Sequence, residues 1–502
     1  MRMYNGRVQK FLGHQQVFGT PTKAPYWMLP CRGNGVFYWV YNGFDGSSHK
    51  MYSTDMSSHT NITRQSGGVD VDYDNSAYLG WTGGILGGVP LFNNGVDAPQ
   101  FWDFSGRLAN LTNWPASTSC AAMRVFRQFA IALDVTKSST RYKEMVKWSH
   151  PADPGSVPSS WDETDATKDA GEQPLSDSSG AVVDCLVMRG NNIIYKDDAV
   201  HLMQYSGQPG FPFNFRGIFD EWGILARNCA IPFFGGKHLV ATGGDLDIVV
   251  HDGVNADSIL EQKIRSYLRN DIDSTNYTHS YMVTRWSRNE VWFCYPGDGD
   301  TYATRALVWN WKDGTFGFRD IPTASYGKEG IVDPGAVSDA WDDDSGYWND
   351  DTTTWDQATY NAGLRSPLFA TPGDTKFYQG DATNQFAGVN MTSYIERLGL
   401  TVIGMDSKGN LASDLTQKKY ISELWPKIYM EAGGTVDVTL YAQDIPEGPT
   451  TVYGPYTFDP NSDLKVDVGM SARLWGVKFS SDSNVDWELA EFAAEIVPDG
   501  VY

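Results

Sequence analysis

The sequence predicts an all-β fold: a β-propeller of about six or seven blades with a C-terminal antiparallel β-sandwich, and one short helix near residues 258–272. Three observations predict it. Short apolar runs broken by Gly, Asp, Asn and Pro fill the 502-residue chain, the pattern of many brief strands joined by tight turns. Pairs of such runs recur at intervals that bracket the ~40–50-residue period of propeller blades. The last stretch of the chain alternates apolar and polar residues, as half-buried antiparallel strands do.

The recurring pairs come in order. Val36-Phe-Tyr-Trp-Val-Tyr41 precedes Lys50-Met-Tyr-Ser53, and a less sharp unit holds Ile85-Leu86 and Phe101-Trp102. Phe129–Asp134 precedes Met145–Trp148, and Asn192–Lys196 precedes His201–Tyr205. Lys237–Thr242, Glu290–Tyr295 and Leu368–Ala370 are followed by Ile248–His251, Ala306–Trp311 and Lys376–Gln379. A four-stranded blade cannot bury both faces alone, whereas radial stacking buries both and hides most edges. A set of β-sandwiches is the rival arrangement, and it explains the repeating pair less well.

Three domains are expected: an extended N-terminal segment 1–30, a propeller over 31–385 and a platform-like sandwich over 390–502. The sandwich strands are read from Tyr394–Val402, Thr435–Tyr441, Leu464–Val468, Leu474–Phe479 and Trp487–Val497. In the helix, Ser258 and Glu261 form a capping box, Ile259, Leu260, Ile264, Tyr267 and Leu268 give one apolar stripe, and Arg265 and Arg269 suit the C-terminal dipole. Two long loops interrupt the blades, 149–179 and 321–365. The second carries Trp341, Trp348 and Trp355 among acids that include Asp342 and Asp344. These five residues are the candidate interface, because three Trp in an acidic loop are costly to leave in water.

Composition narrows the function. The chain has 51 Gly, 18 Trp, 26 Tyr and 24 Phe, so it is neither disordered nor fibrous. With 39 basic and 61 acidic residues its net charge is −22, which lacks the basic footprint of a DNA binder. That charge suits a surface DNA must touch without sticking, and equally suits simple solubility. Met1 to Gly19 has no signal-peptide core, and no stretch approaches 18 uninterrupted apolar residues, so no membrane span is expected. The five cysteines are odd in number, lack a CxxC pair and mostly lie in apolar runs, as buried thiols do.

Chemistry-bearing motifs are few. There is no P-loop, no HExxH, no GxSxG, and no pair of histidines at metal-ligand spacing. Gly83–Gly88 is read as a turn rather than a nucleotide loop. Asp342-Asp343-Asp344-Ser345-Gly346 is read as a solvated acidic loop or a weak divalent site, out of register with a calcium loop. Lys312-Asp313-Gly314-Thr315-Phe316 resembles one Asp box, and a type I′ hairpin with Asp-Gly at its tip explains it better. No catalytic residue, cofactor or metal is expected.

One run reads Trp148-Ser149-His150-Pro151-Ala152-Asp153-Pro154, followed by Trp161-Asp162 and Ala170-Gly171-Glu172. With it come Leu186–Tyr205, Phe213-Asn-Phe-Arg216, Gly223–Ala226, Ala306–Phe316, and Tyr456–Pro460 with Lys465, Asp467 and Arg473. As an ordered set over residues 140–502, these resemble the tail-nozzle (tail hub, or head–tail stabilisation) proteins of short-tailed bacteriophages. The resemblance implies a virion protein assembled in the host cytoplasm. It implies a homo-hexameric ring below the head–tail connector adaptor, which extends the DNA channel, carries tail fibres or spikes, and lets genomic DNA pass without tight binding. The alternatives are a receptor- or carbohydrate-binding propeller (an adhesin) and a propeller glycoside hydrolase.

Overall fold

The computed structural model describes residues 1–74, 80–332, 365–401, 403–405, 411–413, 418–445 and 448–498. The chain forms two compact units. One comprises Gln16–Ala306 with Asp320–Gln379; the other comprises Met1–Gln15, Leu307–Arg319 and Gly380–Tyr502.

The first unit carries seven propeller blades among the described residues, with the outer strands of the sixth running on into Leu307–Arg319, which group with the second unit. Its blades begin with the strands Ala24–Gly33, Thr82–Leu86, Thr118–Phe126, Val182–Met188, Ala230–Phe233, Tyr281–Arg285 and Tyr326–Ile331. Six of these open an antiparallel sheet of four strands in chain order; the seventh opens a six-stranded sheet whose fourth strand, His14–Val17, comes from the start of the chain and pairs in parallel with Gln385–Phe386. The seven opening strands touch one another in sequence, and the last touches the first, so they encircle an axis. Phe18 lies 6.0 Å from Phe377, which ties the early chain to the last blade.

Blade packing explains the apolar runs. In Phe129–Lys137, the second strand of blade three, Ala130 and Ala132 pack with Leu86, Val89 and Leu91 of blade two. Ile131 and Leu133 face the other way, onto Val182, Cys185 and Ile194 of blade four. A strand buried on both faces has no polar alternation to show. Tight turns link the strands: Asn34 and Gly35 take φ of 51° and 84° between the paired Gly33 and Val36, the left-handed conformation that Asn-Gly adopts most easily. Gly87 and Gly88 make the same turn, whereas Gly83 and Gly84, expected in it, belong to the strand. All five cysteines are buried thiols.

The second unit is a β-sandwich. One sheet runs Arg2–Tyr4, Arg7–Gln9, Trp487–Pro498, Lys419–Met430, Val466–Ala472; the other runs Ser393–Leu400, Leu474–Ser481, Val436–Gln443, Thr451–Phe458. Leu424, Val438, Leu440, Met470, Phe479, Trp487 and Val8 fill the space between them.

Several expectations change in detail. Residues 1–30, read as a separate extended segment, divide: Met1–Gln15 join the sandwich unit, and Ala24–Gly33 opens the first blade. The helix is Gln262–Asp271, and its N-cap Glu261 makes no side-chain cap bond. Ser258 ends a strand instead, and its hydroxyl donates to Asp247 Oδ1 at 2.9 Å, so the capping box does not form. The Asp313-Gly314 tip is a four-residue loop, not a type I′ turn: Asn310 Oδ1 accepts from the Lys312 and Asp313 amides, and of the two tip residues only Gly314 has a positive φ.

The 149–179 loop is largely a strap on its own blades. Trp161 is buried against Trp114 at 4.7 Å, and Gly171–Pro174 is the fourth strand of blade three. From the 321–365 loop, Tyr326–Ile331 is the opening strand of blade seven.

Candidate functional site

The opening strands leave a cavity of about 560 Å³ on the propeller axis. Glycines make the room: Gly83 and Gly84 of blade two present no side chain to it. A second cavity of about 430 Å³ shares Asn228 and Tyr326 with the first as lining residues.

A polar strut crosses between the opening strands of blades three and four. Arg124 donates to both oxygens of Asp184, Nε to Oδ1 at 2.7 Å and Nη2 to Oδ2 at 2.9 Å. Arg124 also donates to Asn228 Oδ1 at 2.8 Å and to the Gly83 carbonyl at 3.2 Å. Asp184 is completed by the backbone amides of Cys185 and Asn228. Burial alone would neutralise both partners. The adjacent opposite charge outweighs it, so the Asp184 carboxyl is held below its usual range and Arg124 above its own. Bidentate geometry with every remaining polar site satisfied is what makes such a buried pair tolerable.

Blade seven supplies the other charges. Glu329 Oε2 accepts from the Thr284 hydroxyl at 2.6 Å and Oε1 from the Trp286 amide at 3.2 Å. Burial raises its pKa, and these bonds offset part of that. Lys328, half-buried, lines the cavity, and its ammonium makes no hydrogen bond to any described residue. Burial first, then the nearby Arg124 charge, lower its pKa to about 8. Tyr326, buried beside them, is pushed up to about 12.

Both carboxylates in the cavity are hydrogen-bonded, Asp184 to Arg124 and Glu329 to Thr284 and Trp286. No cluster of three metal-ligating side chains occurs among the described residues. A second titratable group lies within blades four and five: the Tyr195 hydroxyl bridges His238 Nδ1 at 2.6 Å and His251 Nε2 at 2.8 Å. His238 Nε2 donates to the Val187 carbonyl at 2.9 Å, so Tyr195 donates to His238 and accepts from His251.

The expected interface residues Trp341, Asp342, Asp344, Trp348 and Trp355 lie outside the described residues. Sequence reasoning missed Arg124, Asp184, Tyr326 and Lys328. The signal available was polar residues in strands whose neighbours are buried, as in Val182-Val-Asp-Cys185.

No family model and no curated protein matches the chain. Among solved structures, a Synechocystis apocarotenoid oxygenase mutant aligns at 9% identity over 66% of this chain and 84% of its own, with a TM-score of 0.31. The extracellular domain of a one-component system from B. thetaiotaomicron aligns at 10% identity over 63% of this chain and 41% of its own, TM-score 0.32. The Bacteroides ovatus xyloglucan PUL GH43B aligns at 10% identity over 98% of this chain and 100% of its own, TM-score 0.29. Likenesses this distant carry no functional argument; the propeller is read from the sheets themselves.

Proposed function

We propose that this chain is a structural virion protein: the subunit of a hexameric tail nozzle that extends a DNA channel below the connector adaptor and anchors fibres or spikes. It is assembled in the host cytoplasm and catalyses nothing. The ordered motifs of residues 140–502 support the family, and the propeller-plus-sandwich organisation is consistent with it.

The observation that carries the assembly role is an aromatic row on the sandwich. Along Lys419–Met430, Ile421 and Leu424 point into the core, while Tyr420, Trp425 and Tyr429 stand 38–46% exposed on the outer face. Val497, paired with Tyr420, is also exposed. Tyr and Trp are the residues that dominate protein interfaces, and a second copy of the chain is the occupant a ring requires.

The test is sedimentation of the purified chain. Wild type should form a single large oligomer, and Trp425→Ala with Tyr429→Ala should leave folded monomers. A wild-type monomer at all concentrations would refute the reading. One observation favours a second reading, a ligand- or receptor-binding propeller: the axial cavity, whose size falls in the range of small-molecule sites.

A further inference from the structure

Three cations and two carboxylates line the larger axial cavity. Arg124 is matched by Asp184, and the Arg365 charge acts on Glu329. Lys328 remains, with no hydrogen-bond partner among the described residues. Lys328 is half-buried, and its ammonium keeps solvent contact through the cavity, so a group entering the cavity can reach it. The walls around it are apolar: Ile85, Val125, Val187, Ile231, Met282 and the ring of Tyr326. In a chain of net charge −22, this pocket is a locally positive, mostly apolar chamber of about 560 Å³.

We propose that the axial cavity binds an amphipathic organic carboxylate, one per chain, with the acid group on the Lys328 ammonium and the apolar body against the blade-two, blade-four and blade-five walls. The chemistry follows from what is left unmatched. One cation selects a monoanion, because a dianion would meet the Asp184 and Glu329 carboxylates with only one free charge to offset it. The apolar walls select a body that a bare inorganic ion lacks. The bidentate bonds of Arg124 to Asp184 make it a rigid wall rather than a second anchor. This inference does not depend on the nozzle assignment.

The test uses the full chain, with 1-naphthaleneacetate and its neutral amide as probes, in titration calorimetry. The carboxylate should bind with one site per chain, at least tenfold tighter than the amide. Inorganic phosphate should bind at least tenfold more weakly than the carboxylate. Lys328→Met, which keeps the length and removes the charge, should lose at least tenfold in carboxylate affinity and erase the preference over the amide. In wild type, the carboxylate should protect Lys328 from acetylation, read by peptide mass spectrometry, which keeps the test valid if the variant does not fold. Equal binding of acid and amide, no binding of either, unchanged affinity in Lys328→Met, or no protection of Lys328 would each overturn the proposal.

Discussion

Acid should destabilise the propeller through the two histidines bridged by Tyr195. His238 and His251 are each 1% exposed, and burial lowers their pKa values from 6.5 to about 4 and about 3. Below the unfolded value of 6.5 the unfolded chain binds protons that the folded chain refuses, so stability falls as pH falls. The loss runs from pH 6.5 down to the folded values. At about pH 5 each histidine contributes a loss of about 2 kcal/mol, so the pair removes about 4 kcal/mol relative to neutral pH. Urea unfolding at about pH 7 and about pH 5 measures the difference. His238→Gln with His251→Gln should flatten the dependence over that window. The imidazole resonances of wild type should show both rings still neutral at about pH 5. Equal stability at the two pH values, or buried imidazoles titrating near 6.5, would refute the reasoning.

Further outcomes follow from other parts of the molecule. Asp184→Asn strands the Arg124 guanidinium and should cost about 3–5 kcal/mol in chemical unfolding, while adding Arg124→Met should recover much of it. Trp161→Ala should cost about 3–5 kcal/mol and open the 149–170 strap to limited proteolysis, because the indole is the strap's buried anchor. All five cysteines should resist alkylation in the native chain and count as five thiols after unfolding, since each is buried and burial pushes Cys31 and Cys185 up to about 12. Assembled rings should show no DNA binding at about 0.15 M salt, because each ordered phosphate contact would steepen salt dependence and brake a sliding genome.

The second strands of the blades were legible because they are buried on both faces. Val36–Phe44, Phe129–Lys137 and Glu290–Tyr295 carry the apolar runs Val36–Tyr41, Phe129–Leu133 and Val291–Tyr295. The opening strands were not. Thr82–Leu86 and Tyr326–Ile331 are rich in Gly and polar residues because they line the axis; the first reads as a glycine turn with only Ile85-Leu86 apolar, and the second falls in a long loop. That is why the cavity residues escaped notice.

The N-terminal strands carry a signal that was passed over. Asn5 and Gly6, with φ of 51° and 76°, make the tight turn between Arg2–Tyr4 and Arg7–Gln9. Lys419–Met430, the strand with the aromatic row, was obscured by Pro426, which argues against a central strand. Its pairing with Val466–Ala472 ends at Leu424, so at Pro426 only the Trp487–Pro498 strand lies alongside.

The central claim is that the chain is a subunit of a hexameric nozzle ring. Electron microscopy of the purified full-length chain tests it most directly. The account predicts six-fold rings with an open central channel, each subunit contributing a seven-bladed propeller and a β-sandwich. A population of monomers at concentrations where virion proteins assemble, or a closed ring without an axial channel, would contradict it.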